Sequence, residues 1–167
     1  MKRVSTTPRW LLFHYQLPVR ASKASVSIWF RLESLGALAL KNSVHVLPHS
    51  SGAGKELDGI KRDIIGRKGR ASIVVRDRPD GISSQELTAL FLDARRKDYQ
   101  SLRADASWLL RLWKAHPLDS IGDRRQRLLQ FFRARFTRID ATDFFRAKGR
   151  EEAAVMVAKL AHFVEQA

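Results

Sequence analysis

Apolar and polar residues alternate from Trp10 to Leu17, with Leu11, Phe13, Tyr15 and Leu17 on one side and Trp10, Leu12, His14 and Gln16 on the other. A period of two predicts a strand, and Pro18 ends it. From Lys23 to Leu35 the period lengthens: Val26, Trp29, Leu32 and Leu35 recur at three- and four-residue steps, which predicts an amphipathic helix closed by Gly36 as its C-cap glycine. Leu38, Leu40, Val44 and Val46 then alternate through a predicted hairpin with Lys41-Asn42 as its turn. The segment His49–Gly54 reads as a turn-rich loop. Leu57, Ile60, Ile64 and Ile65 follow at helical spacing, ending at Gly66 or Gly69, and the β-branched run Ala71–Arg76 reads as a last strand. The order β-α-β-β-α-β predicts an α+β fold of ferredoxin-like type over residues 9–78, two helices covering one face of a four-stranded antiparallel sheet. A winged helix is the alternative, with Ser25–Leu35 as recognition helix and Leu38–Leu47 as wing. The strand before it and the helix–strand pair behind it fit that fold poorly.

Asp77–Ile82, with Pro79 and Gly81, reads as a boundary, and residues 83–167 as a helical region packed on the first domain. Ser83 and Glu86 have the spacing of a capping box, ahead of an apolar face made by Leu87, Leu90, Phe91 and Ala94. Tyr99, Leu102, Ala106, Leu109 and Trp113 continue a helix to His116-Pro117. Asp119 or Ser120 caps a helix over about Ile121–Ile139, and a final helix covers Glu151–Glu165.

Composition narrows the function. The 167 residues are 44% hydrophobic, enough for a genuine core, and carry a net charge of +14. That excess favours anionic partners: nucleic acid, acidic membrane surfaces or small oxyanions. Both halves are basic, with 15 basic and 6 acidic residues up to Ile82 and 16 against 11 beyond it. Cysteine is absent, which excludes disulfides, thiol redox chemistry and thiolate metal sites in this chain. No apolar run has the length of a signal-peptide core or a membrane span, so the expectation is a cytoplasmic protein without a membrane partner.

The densest charge lies in the helix before Asp140, where Arg124, Arg125, Arg127, Arg133, Arg135 and Arg138 occur with no acid between them. On a helical wheel Arg124, Arg127, Arg135 and Arg138 share a face with Phe131, beside an apolar stripe of Leu128, Phe132, Phe136 and Ile139. Spread over ~20 Å at about 1.5 Å per residue, the arginines match successive backbone phosphates. A solvated face paired with acids of neighbouring helices is the competing reading. A second cluster, Lys61, Arg62, Arg67, Lys68 and Arg70, lies on the second helix and its exit, where basic residues also complement the helix dipole.

Other motifs fail on chemistry. Gly52-Ala-Gly54-Lys55 has His49 where a phosphate loop needs its first glycine and Glu56 where it needs a hydroxyl. His14 and His45 sit on strands expected to be neighbours, on the face the helices leave open, yet two ligands without a carboxylate do not make a metal site. Asp77, Asp80, Asp140 and Asp143 stand where turns and caps favour aspartate. No Ser-His-Asp arrangement is supported, no cofactor is expected, and the chain reads as a non-enzyme.

The stretches WLLFHYQLP, IWFRLESLGA and LALKNSVHVLP, and later ELTALFLDARRKDY and RIDATDFF, resemble the amino-terminal half of the ChrB family, regulators of bacterial chromate-resistance operons. More distantly, the first unit is similar to the middle domain of PaaX-type repressors and to the ferredoxin-like CRISPR adaptation nuclease. In that nuclease a metal-binding aspartate ends the first strand. Here the place is taken by Gln16-Leu17-Pro18, and a neutral amide supplies no anionic oxygen for a hard divalent cation, which argues against nuclease activity. The resemblance implies a second, carboxy-terminal domain of comparable length in the family. It also implies a homodimer that binds double-stranded operator DNA through arginine and lysine and responds to chromate. An oxyanion-sensing domain for chromate or sulfate, without DNA contact, is the alternative.

Overall fold

The computed structural model describes residues 8–18, 22–40, 44–115 and 122–166. Its elements are β1 (Trp10–Gln16), α1 (Ser22–Ser34), β2 (Leu38–Ala39), β3 (Val44–Pro48), α2 (Ser51–Gly66), β4 (Arg70–Arg76), α3 (Ser84–Ala115), α4 (Gly122–Ala141) and α5 (Arg150–Glu165). The chain divides into two compact units, 1–89 and 90–167, with the division inside α3.

The first unit is the expected α+β arrangement, an antiparallel four-stranded sheet of order β2-β3-β1-β4. β1 is central because its apolar residues serve both faces. Trp10, Leu11 and Phe13 are all buried, and the Trp10 indole donates to Ser84 Oγ at 3.0 Å, at the start of α3. Helix α2 lies against β1 and β4 through Leu57, Ile60 and Ile64. The capping box forms as the spacing predicts: Ser83 N–H donates to Glu86 Oε2 at 2.8 Å and Glu86 N–H to Ser83 Oγ at 3.1 Å.

Helices α1 and α2 end in the same way. After α1, Gly36 takes a positive φ of 75°, and Gly36 N–H and Ala37 N–H return to the carbonyls of Glu33 and Leu32. After α2, Lys68 occupies the equivalent left-handed position with φ 61°, and Lys68 N–H and Gly69 N–H return to Ile65 and Ile64. This is the Schellman pattern, once with the glycine it favours and once without. Gly69 is required for space, since a Cβ there would lie 2.7 Å from the Gln16 carbonyl oxygen.

The structure departs from expectation at several places in this unit, Ile65 among them, which is 53% exposed. The buried stripe of α1 is Ala24, Ile28 and Leu32, while Val26, Trp29 and Phe30 are exposed. Two helical stripes fit the sequence, and the smaller residues face inward. The predicted loop His49–Gly54 is largely the first turn of α2, because Ser50 caps it by accepting from Ala53 N–H at 3.1 Å. His14 and His45 are on opposite faces, since Phe13 stands opposite His45 and His14 opposite Val44. His45 is buried and stacks on Tyr15 with ring centroids 5.7 Å apart. The Lys41-Asn42 turn, His116-Pro117 and the Asp119 or Ser120 cap lie outside the described residues.

The second unit is helical. α3 runs unbroken to Ala115, and Tyr99, Leu102, Ala106, Leu109 and Trp113 are buried as their spacing predicts, whereas Leu90 is exposed. α4 packs on α5, joined in one core by Leu129, Phe132, Ile139, Val157 and Leu160. On α4 it is Leu129 that is fully buried and Leu128 only partly, and the same stripe buries Arg125 to 7% exposure. Its guanidinium lies over the Trp113 and Phe163 rings at 6.0 and 5.5 Å, so a delocalised cation is held between aromatic faces. Among the described residues no helix is long and apolar enough to cross a membrane.

Candidate nucleic-acid interface

The core stripe of α4 fixes where its other arginines point. With Arg125, Leu129, Phe132 and Ile139 inward, the 3.6-residue period carries Arg124, Arg127, Phe131 and Arg138 to the outside, and all four are exposed. Arg124, Arg127 and Arg138 have no acidic partner among the described residues. Arg135 differs. It pairs with Asp105 of α3 at 2.6 Å and donates to Ser101 Oγ at 2.9 Å, leaving its side chain 25% exposed. Arg133 lies 4.0 Å from Glu165. The competing reading of paired arginines therefore applies to Arg135 and Arg133, and the strip without an acidic partner among the described residues is Arg124, Arg127 and Arg138.

The second cluster is less concerted. Lys61 and Arg62 line a shallow open depression with Lys55, Asp58 and Ile65, all on one face of α2. Arg62 also donates to the Asp58 carbonyl at 3.4 Å. Arg67 is the C-cap residue of α2, its N–H returning to the last-turn carbonyls, and Lys68 is the left-handed residue after it. Arg70 opens β4 opposite Gln16. The five residues are exposed or half-buried, and they are divided between α2, its exit turn and the start of β4.

A polar cluster joins α3, α4 and α5, built partly from aspartates whose sequence positions suggest only turns and caps. The Tyr99 hydroxyl donates to Asp143 Oδ2 at 3.2 Å and lies 3.5 Å from Asp140 Oδ1. Arg150 forks onto Asp140, with Nη2 at 3.1 Å from Oδ2. Asp143 accepts the Ala147 N–H at 2.9 and 3.0 Å, and Arg95 donates to Thr142 Oγ1 while pairing with Asp98 at 3.0 Å. Burial, with the two carboxylates beside it, pushes the Tyr99 hydroxyl well above its ordinary range. The Arg150 hydrogen bond holds Asp140 below the usual carboxylate range, and burial raises Asp98. The signal was present in the sequence as the two motifs ARRKDY and RIDATDFF, which the fold brings together.

No group of three or more His, Asp or Glu able to hold a metal occurs among the described residues.

Comparison with known proteins agrees on one family. The family described as "Protein ChrB, N-terminal" matches residues 25–115. Protein ChrB of Cupriavidus metallidurans is 30% identical over 139 residues, which cover 81% of this chain and 40% of that protein. The chain thus spans less than half the length of that relative. No solved structure matches. With its family match extending from α1 to the end of α3, this chain belongs to the ChrB family, in the amino-terminal part.

Proposed function

We propose that this chain is the DNA-binding, regulatory part of a chromate-responsive transcriptional regulator that controls a chromate-resistance operon in the cytoplasm. One observation carries the reading: Arg124, Arg127 and Arg138 form an exposed strip with no acidic partner among the described residues, on a helix anchored by its opposite face. Guanidinium groups spread over ~20 Å suit successive phosphates of a duplex. The mechanism is electrostatic, each neutralised phosphate releasing counterions and adding about 0.9 to the slope of log K against log salt. Chromate weakens that grip. The protein works as a homodimer on a two-fold operator and catalyses no reaction. Arg135, held by Asp105, contributes less than its three neighbours, and the α2 cluster of Lys61, Arg62, Arg67, Lys68 and Arg70 adds general attraction only.

A mobility-shift titration with duplex from the chain's own promoter, with and without chromate, tests the reading. A shift that chromate reverses is expected, and no shift at low salt contradicts it. A second reading rests on the depression at Lys55, Lys61 and Arg62, whose cations suit a tetrahedral dianion such as chromate or sulfate. Heat on calorimetric titration with chromate, combined with no DNA binding, would favour that sensor.

A further inference from the structure

We infer that Phe131 is the residue of α4 that reaches the bases, wedging against an opened base step of the duplex whose phosphates the arginines hold. The inference rests on the DNA reading above and deepens it. Phe131 is 53% exposed, a large apolar ring left in water at the centre of the most cationic face of the chain. Arg127 stands one turn before it and Arg138 two turns after it, with Arg124 two turns before, so cations flank the ring along the helix axis.

Two features keep the ring available. Phe131 meets the buried Phe132 edge to face, centroids 5.6 Å apart at 89°, so its orientation is set by a core residue. Arg135, one turn on, is the neighbour best placed to fold its guanidinium across the ring. Asp105 and Ser101 draw it towards α3 instead. No guanidinium of the described residues lies over Phe131, although Arg125 and Arg150 each stack on other rings.

The charge around the ring selects the partner. An apolar protein surface would leave Arg124, Arg127 and Arg138 facing no anion, whereas nucleic acid offers phosphates for the cations and base faces for the ring. In a duplex, base faces are reached only where a step is unstacked, which favours flexible pyrimidine–purine steps.

Fluorescence anisotropy with the promoter duplex across a salt series, on the whole chain and on F131A, F131W and R127Q, tests this. F131A should weaken binding about tenfold at every salt concentration without changing the salt slope, and F131W should restore it. R127Q should lower the slope by about one. A 2-aminopurine at a pyrimidine–purine step of the duplex should brighten with the whole chain and not with F131A. If F131A binds as tightly as the parent chain while R127Q still lowers the slope, the wedge is wrong and the phosphate strip stands. If the parent chain binds no duplex, both fall. Unchanged far-ultraviolet circular dichroism and melting of F131A separate a missing stacking interaction from a damaged fold.

Discussion

The basic cluster at the end of α2 and the arginines of α4 are alike in sign of charge and unlike in use. Those of α2 gather at a helix end, where Arg67 and Lys68 form the Schellman turn and Arg62 reaches its own backbone. Those of α4 run along a helix where, among the described residues, three acids are taken by other arginines: Asp105 by Arg135, Glu165 by Arg133, Asp140 by Arg150. Arg124, Arg127 and Arg138 are left facing solvent. Charge alone did not separate the two clusters; the partners of each cation do.

Breaking the contrast outright takes paired charge reversals. R127E/R138E should lower affinity for promoter duplex about 100-fold or more, at about tenfold for each charge-assisted hydrogen bond to phosphate removed, while K61E/R62E should cost under about fivefold, both read by anisotropy at one salt concentration. Equal losses would erase the distinction.

Next in size is the anchor of α4. D140A removes the partner of Arg150 and a neighbour of the Tyr99 hydroxyl, and should destabilise the fold by about 1–3 kcal/mol in urea denaturation at pH 7. Because Asp140 is held below its ordinary pKa, the unfolded chain binds more protons across that interval. Its contribution is therefore full above about pH 4 and is lost as pH falls through the lower, folded value. The stability gap between D140A and the parent chain should narrow from pH 7 to pH 3.

The smallest effect sharpens the view that α2's cations serve its exit. K68G relieves a non-glycine residue at φ 61° and should stabilise the fold by about 1 kcal/mol, with DNA affinity changed less than about twofold. G36A, at the matching position after α1, should destabilise by a similar amount.

Much of the fold was legible in the sequence because local chemistry and packing agree. The alternation of Trp10–Leu17, the glycine at 36 and the Ser83–Glu86 pair each specify one geometry, and each is observed. The misreadings fall where two registers compete. Val26 and Trp29 are bulkier than Ala24 and Ile28, yet the smaller pair faces inward. The strand register, which separates His14 from His45, is set by long-range pairing that no local pattern reports. At the candidate site the arginine face of α4 was legible from helical period alone. That Asp105 holds Arg135, and that Asp140 and Asp143 meet Tyr99, was not, since those partners lie 30, 41 and 44 residues away in sequence.

The proposed function turns on neutralisation of DNA phosphates by Arg124, Arg127 and Arg138. The most direct measurement is the slope of log K against log salt for promoter duplex, on the parent chain and on R124Q/R127Q/R138Q. A decrease in slope of about three accords with three released phosphates, and an unchanged slope would contradict the account.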